Sequence, residues 1–322
     1  MKKTAAVMAA ALLAMTVAAV SAQQYPARPV RLIVPFPPGG SADTLGRIVA
    51  AKLSESLGQN FVAENRPGAG GLVGAELASR TPPDGYTLVV SGVASHAIAP
   101  ALAAKPPFDP IKDFTHIALF GGPPAVFGVH PSMPVKDLKS FIAFAKAKPG
   151  ELNYGSPGNG TQGHLVAELF RQTTGIKIVH IPYKGAALAM VDIVAGNIHA
   201  ISTTLTTASG QIRAGRVRPL ALSSAERLPD YAGVPTYKEL GYADLVATVW
   251  FSLSGPAGVP AEIVNRLNSE VRRVLQLPDV RQRLGGDGIM PNQLDPRAFT
   301  DFVSAEIKRW APVVRASGAR VN

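Results

Sequence analysis

Short apolar runs alternate with amphipathic stretches along most of the chain. Residues 30–34 are apolar apart from Arg31, which predicts a buried strand over Val30–Val34. A helix predicted over Ala42–Leu57 ends at Gly58 and carries one apolar face, formed by Leu45, Ile48, Val49, Leu53 and Leu57. The alternation predicts an α/β fold with a mainly parallel sheet, flanked by helices, in each domain. Later predicted elements include helices over Val135–Lys148 and Ser209–Ala214, a strand over Val246–Leu253, and a largely helical tail from Pro260.

The first 22 residues have the layout of a cleaved secretory signal peptide. Lys2 and Lys3 precede an apolar run over residues 5–20, and small residues at Val20-Ser21-Ala22 stand before Gln23. The run is shorter than the roughly 20 residues that span a bilayer as a helix. We therefore expect cleavage after Ala22 and a periplasmic protein.

Composition narrows the possible functions. The 322 residues are enough for two domains, and the absence of Cys excludes disulfides and thiolate metal sites. Lys and Arg number 32 against 22 Asp and Glu, but they are scattered and do not alternate with aromatic residues. This pattern argues against a nucleic-acid partner. The six His show no metal-ligand spacing, so we expect no metal and no cofactor.

Three glycine-rich loops join the end of a predicted strand to the start of a predicted helix. They cover residues 35–43, 154–161 and 182–187. In open α/β sheets ligands bind at such strand ends, and the free N–H groups of a helix start favour an anion. Asp43 has the position of a helix-start residue more than that of a ligand contact. The three loops together predict a carboxylate or phosphate site between two domains.

Sequence signals for catalysis are weak. Gly-x-Ser-x-Gly, His-Glu-x-x-His and the dinucleotide-binding glycine motif before a helix are absent. A hydrolase that uses Ser156 or Ser95 with a nearby His stays open as an alternative, although neither serine lies in a recognised nucleophile motif. We expect a protein that is not an enzyme.

Several motifs, in order along the chain, resemble one family. They are Tyr25-Pro26-x-Arg28-Pro29, Glu64-Asn65-Arg66-Pro67-Gly68, Pro83-Asp84-Gly85-Tyr86, Tyr183-Lys184-Gly185, Ala214-Gly215-Arg216 and Gly255-Pro256-Ala257-Gly258. They are similar to the Bug family, the periplasmic solute-binding proteins of tripartite tricarboxylate transporters. The resemblance covers essentially the whole chain after residue 22.

The resemblance implies a two-domain periplasmic binding protein of type II-like fold with a ligand cleft between the domains. Domain 1 would be residues 23–122 plus 250–322, and domain 2 residues 123–249. The implied partners are a small organic carboxylate and the membrane permease subunits, and we expect a monomer. Carried over position by position, the implied ligand-binding residues are Phe36, Pro38, Gly39, Gly40, Ser41, Ser95, His96, Ser156, Gly160, Thr161, Lys184, Gly185, Ala186, Thr203 and Thr204.

One departure from the family pattern bears on the ligand. Many members carry an acidic or amide residue about where Thr203 and Thr204 stand. Two threonines offer no counter-charge to an ammonium group, so we predict a dicarboxylate or an aromatic acid rather than aspartate or glutamate. Two other receptor types share this fold. The sequence does not distinguish a receptor that serves a transporter from one that is coupled to a membrane sensor. The motif set argues against the binding component of an ABC transporter.

Overall fold

A computed structural model describes residues 25–317 apart from 287, 290 and 292. The predicted signal peptide, residues 1–22, lies outside the described part. The strands are β1 Val30–Val34, β2 Phe61–Asn65, β3 Thr87–Gly92, β4 Phe114–Gly121, β5 Ala125–Val129, β6 Asn153–Ser156, β7 Val179–Pro182, β8 Ala200–Thr204, β9 Arg218–Leu222 and β10 Phe251–Pro256. The α-helices are α1 Ser41–Leu57, α2 Leu72–Ser79, α3 Ala99–Leu102, α4 Leu138–Ala147, α5 Gln162–Thr174, α6 Ala186–Ala195, α7 Leu205–Arg213, α8 Ala261–Val274, α9 Pro278–Gly285 and α10 Pro296–Ser317.

The strands form two five-stranded sheets. The first has the order β2-β1-β3-β10-β4 and the second the order β7-β6-β8-β5-β9. In the first sheet β1 is parallel to β2 and β3, and in the second β6 is parallel to β7 and β8. One strand in each sheet, β10 and β5 respectively, runs antiparallel to both of its neighbours. The predicted α/β fold is confirmed. Each sheet is mixed because its antiparallel strand is the one by which the chain enters it from the other sheet.

The chain crosses between the sheets twice, along two adjacent segments. It leaves the first sheet after β4 and returns at β10. Pro124 and Thr248 form an antiparallel bridge, and the Val249 N–H donates to the Pro123 carbonyl at 3.1 Å. A Cβ on Gly122 would lie 1.6 Å from the Val249 carbonyl oxygen, so only glycine permits this approach.

The C-terminal helix α10 packs across the junction between the two sheets. We call the part of the molecule built on the first sheet the first half and the part built on the second sheet the second half. Helix α10 contacts β4 and the turn Val93–Ile98 in the first half and α5 in the second half. Glu306, which is 7% exposed, accepts hydrogen bonds from the indole N–H groups of Trp250 (3.0 Å) and Trp310 (3.1 Å). This contact ties α10 to the return crossing. No helix in the described ranges is long and apolar enough to cross a membrane.

Several predicted boundaries differ from the structure for physical reasons. The helix predicted from Val135 begins at Leu138, because the Asp137 carboxylate accepts the Ser140 N–H and forms a reciprocal cap. The helix predicted from Ser209 begins at Leu205, directly after β8. The strand predicted over Val246–Leu253 begins only at Phe251, since residues 247–249 belong to the crossing. Helical structure over residues 93–102 was not predicted.

Candidate functional site

A cavity of about 660 Å³ lies between the two sheets. From the first half it is lined by the loops around residues 35–42 and 67–71 and by Val93 and Ala94. From the second half it is lined by residues 157–159, 161–163 and 182–186 and by the start of α7. Val249 of the return crossing and Phe251 of β10 complete the wall. The volume falls within the range of roughly 300–1,000 Å³ typical of small-molecule sites.

Four helices begin at this cavity. The first residues or N-caps of α1, α5, α6 and α7 all line it. At α1, α6 and α7 no side chain caps the helix. The Leu205 N–H of α7 donates to the Pro124 carbonyl at 2.9 Å, and the other N–H groups of these first turns can donate to another acceptor. Aligned N–H groups and the positive ends of four helix dipoles favour a bound anion.

The loop before α1 is held in place by Asp43. Its carboxylate accepts hydrogen bonds from the Gly39 N–H (3.1 Å), from Arg47 (2.9 Å) and from Asn65 (2.9 Å). Burial alone would raise the pKa of Asp43, but the hydrogen bonds from Arg47, Asn65 and Gly39 outweigh it and lower the pKa. The ionised carboxylate is thus fully engaged in the protein, which agrees with a structural role at the helix start.

Hydroxyl groups join the two halves across the cavity. Ser41 Oγ lies 2.5 Å from Thr204 Oγ1, which lies 3.0 Å from Thr207 Oγ1. A Cβ on Gly185 would lie 3.2 Å from Pro37 Cγ, so the loops of the two halves also meet at the rim. These contacts describe a closed cleft.

The cavity wall carries little charge. Among the described residues that line it, Lys184 has the one charged side chain, and that side chain is exposed at the rim. No acidic residue lines the cavity in the described part of the chain. Nor does that part contain a group of three or more His, Asp or Glu that could hold a metal ion. An anionic ligand would be balanced by backbone N–H groups and one lysine.

The structure brings about half of the sequence-predicted site residues to the cavity. Eight of them line it: Phe36, Gly40, Ser41, Thr161, Lys184, Gly185, Ala186 and Thr204. The other seven lie outside the lining: Pro38, Gly39, Ser95, His96, Ser156, Gly160 and Thr203.

Ser95 and His96 are fully buried in the first half. They belong to a wide helical turn, Val93–Ile98, which leaves Val93 and Ala94 at the cavity. Ser95 Oγ lies 2.9 Å from His96 Nδ1, and the His96 ring packs against Phe114 at 4.5 Å. Burial lowers the pKa of His96 well below its usual value, so the ring is neutral.

Ser156 and Gly160 support the second-half loop from behind. Ser156 is fully buried, with Oγ 2.6 Å from His180 Nε2, and the Gly160 N–H donates to His164 Nδ1 at 3.2 Å. The two imidazoles stack at 4.1 Å. Burial, and then the neighbouring His164, lower the pKa of His180 to about 3. The Ser156–His180 pair holds the loop with its serine oxygen buried, away from the cavity.

Sequence reasoning missed several lining residues. The loop over residues 67–71 was visible as another glycine-rich connection between a strand and a helix, and it lines the first half. Thr203 is buried in β8, where it pairs with Val126, whereas Gln162 lines the cavity beside Thr161. Gln162 is 3% exposed, and its side-chain Oε1 and Nε2 have no hydrogen-bond partner among the described residues. No sequence signal distinguished this glutamine.

Comparison with known proteins identifies the family. Residues 45–319 match the model described as the tripartite tricarboxylate transporter family receptor, TctC. The chain belongs to this family. It is 39% identical over 307 residues to Protein BugT of Bordetella pertussis, which covers 95% of this chain and 94% of BugT. The predicted resemblance to the Bug family is confirmed.

Solved structures of the TctC and Bug type share the fold. A protein of R. palustris solved with adipate is 36% identical, with a TM-score of 0.88 over 92% of this chain and 99% of that chain. MatC from Rhodopseudomonas palustris, solved with bound malate, is 33% identical, with a TM-score of 0.84 over 90% of this chain and 100% of that one. These family members are solute-binding proteins.

Proposed function

We propose that the protein is a periplasmic solute-binding receptor that captures a small organic carboxylate and delivers it to the permease subunits of a tripartite tricarboxylate transporter. The convergence of four helix N-termini on one cavity carries the proposal, because it creates an anion site without an arginine. The relatives solved with adipate and malate support a carboxylate as the ligand. The layout of residues 1–22 supports export to the periplasm.

Binding would couple to closure of two domains, residues 23–122 plus 250–322 and residues 123–249. The two adjacent crossings between the sheets are the natural hinge, since within the described residues they connect the strands of one sheet to those of the other. In the closed form the anion is removed from water. Hydrogen bonds from oriented N–H groups are stronger in that environment than in bulk solvent.

The ligand is expected to lack an ammonium group. The described lining contains no carboxylate to balance a positive charge, and the Thr204 hydroxyl is already shared with Ser41 and Thr207. A buried, unpaired ammonium is costly. We therefore propose a dicarboxylate or an aromatic acid over aspartate or glutamate.

A thermal-shift screen of residues 23–322 tests the ligand class. The panel contains dicarboxylates of increasing length, aromatic acids, aspartate and glutamate. A ligand at 1,000 times its Kd adds about 4 kcal/mol of stability, which corresponds to roughly 8–16 °C in Tm. A larger shift with glutamate than with glutarate would contradict the ammonium argument, and no shift with any carboxylate would contradict the function.

A proline substitution tests the backbone site itself. Ala186 is the first residue of α6, a position that tolerates proline. Ala186→Pro therefore removes one backbone N–H group at the cavity while keeping the helix. The loss of a hydrogen bond to a charged group, about 1.5–3 kcal/mol, predicts a Kd roughly 10- to 100-fold higher. Ala261→Pro at the exposed start of α8, outside the cavity, is the matched control and should leave Kd unchanged.

Two further expectations belong to the same proposal. The receptor should release its ligand chemically unchanged, which recovery of the ligand after prolonged incubation would check. It should also run as a monomer, which light scattering with and without ligand would check. A transporter role is preferred to a sensor role because the matched family is that of transporter receptors.

A further inference from the structure

One wall of the cavity offers a ligand almost no hydrogen bonds. We call it the first-half wall, and it is formed mainly by Phe36, residues 67–71, Val93, Ala94, Val249 and Phe251. None of these residues has a charged side chain or a side-chain donor. The loop over residues 67–71 also pairs its own backbone, since the Gly71 N–H donates to the Gly68 carbonyl at 2.9 Å and the Leu72 N–H donates to the Ala69 carbonyl. The Val93 N–H donates to the Trp250 carbonyl at 3.2 Å.

The hydrogen-bond donors of the cavity are gathered at the helix starts. Ser41, the first residue of α1, lies with its Oγ 2.5 Å from Oγ1 of Thr204, the N-cap of α7. A Cβ on Gly39, directly before α1, would lie 3.9 Å from the Cβ of Ala187 in the first turn of α6. A Cβ on Gly163 in the first turn of α5 would meet the backbone of β8, the strand that ends at Thr204. The four helix starts therefore form one group of donors.

This division of the cavity favours a ligand with one anionic end. The helix starts can bind one carboxylate group. A second carboxylate would lie beside the first, where like charges repel more strongly than in water, or against the first-half wall, where it would be buried without donors. An apolar ligand body gains free energy by contact with the same wall. The cavity volume of about 660 Å³ leaves room for such a body.

We propose that this receptor selects monocarboxylates with an apolar body, such as aromatic or alicyclic acids, and discriminates against dicarboxylates. This inference rests on the proposed carboxylate function and narrows its ligand class. The helix starts bind the carboxylate group. The first-half wall determines specificity, because a second charged group placed against it loses its hydration and gains no partner.

Matched ligand pairs test the inference. Calorimetric Kd values at neutral pH are compared for 4-methylbenzoate with terephthalate and for hexanoate with adipate. Within each pair, the monocarboxylate carries a methyl group in place of the second carboxylate. Wild type should bind the monocarboxylate of each pair about 10- to 100-fold more tightly, the range expected when a buried charged group lacks partners.

A cation placed in the first-half wall should remove the preference. Ala94 is partly exposed and lines the cavity, so Ala94→Arg and Ala94→Lys supply a partner for a second carboxylate. In these variants the preference should fall at least about 10-fold or reverse. Ala195→Arg adds the same charge at the exposed last residue of α6, outside the lining, and should keep the wild-type preference.

The outcomes separate this inference from the carboxylate function. Equal or tighter binding of the dicarboxylate in either pair by wild type would overturn the inference and leave the function intact. A preference that stays unchanged in both Ala94 variants would do the same, provided that each variant binds one member of the pair and is thus folded. The wild-type comparison requires no variant. Failure of every carboxylate to bind wild type would overturn the function and this inference together.

Discussion

Gly185 lies where the two halves of the closed cleft meet. Its φ of 135° is in a region that favours glycine, and a Cβ there would lie 3.2 Å from Pro37 Cγ, 3.5 Å from Pro37 Cβ and 3.9 Å from Pro37 Cδ. Gly185 and Pro37 belong to loops on opposite sides of the cavity. We predict that Gly185→Ala weakens ligand binding by opposing closure.

The magnitude follows from the contact. Carbon atoms pack best at about 3.5–4.0 Å, so the closed loops must separate by a few tenths of an ångström. Overpacking of this kind typically costs about 1–3 kcal/mol. Because this free-energy cost arises only in the closed state, the apparent Kd should rise about 5- to 150-fold. The strain of alanine at positive φ acts on open and closed states alike and lowers stability without changing this ratio.

Calorimetric titration with the tightest carboxylate measures the effect, and Gly196→Ala is its control. Gly196 ends the same helix at φ 78°, but its Cβ would be no closer than 3.7 Å to His130, an ordinary contact. That variant should lose about 1–2 kcal/mol of stability with an unchanged Kd. Pro37→Ala should rescue Gly185→Ala in a double-mutant cycle. Additive effects on Kd would refute the closure argument and indicate a local distortion of the Ala186 N–H.

Three further predictions concern stability, measured by urea unfolding. Gly122→Ala drives a methyl group into the Val249 carbonyl and should cost at least about 3 kcal/mol. Gly210 is exposed in α7 with open space around its Cβ, so Gly210→Ala should stabilise the protein by about 0.5–1 kcal/mol. Equal effects of the two substitutions would contradict the close approach of Gly122 to Val249. Burial lowers the pKa of His116 from 6.5 to about 4. The unfolded chain therefore gains the His116 proton first as the pH falls, and His116 should contribute a loss of about 1.4 kcal/mol per pH unit between pH 6.5 and 4. His116→Asn should make the measured slope of stability against pH shallower by that amount. Glu306→Ala leaves two buried indole N–H groups without their acceptor and should cost about 2–4 kcal/mol; a loss below 1 kcal/mol would show that water replaces the carboxylate.

The parts of the site that the sequence predicts are those fixed by local chemistry. Residues 35–43 carry apolar, glycine-rich and helix-forming segments in immediate succession, and each segment has one reasonable conformation. The strand Val30–Val34 and the approach of α1 to the cavity follow from that order. The same reasoning applies to Lys184, Gly185 and Ala186, which line the cavity at the start of α6.

The parts that the sequence does not predict depend on contacts between distant segments. Residues 93–98 lack a capping residue or a clear apolar period, and the wide helical turn that buries Ser95 and His96 is set by packing against Phe114 and α10. Thr203 and Thr204 are chemically alike, yet the strand alternation buries the first and exposes the second to the cavity. The unpaired amide of Gln162 is a property of all its neighbours together.

A site built from helix N-termini separates affinity from selectivity. Backbone N–H groups recur at every helix start, so any side chain that preserves the loop preserves the attraction for a carboxylate. The closed cavity then encloses space of about 660 Å³, more than a short dicarboxylate fills. Discrimination must then come from the side chains that line this space. Substitution of a side chain in the lining can therefore change which carboxylate is chosen without disturbing the helix starts that bind the carboxylate group.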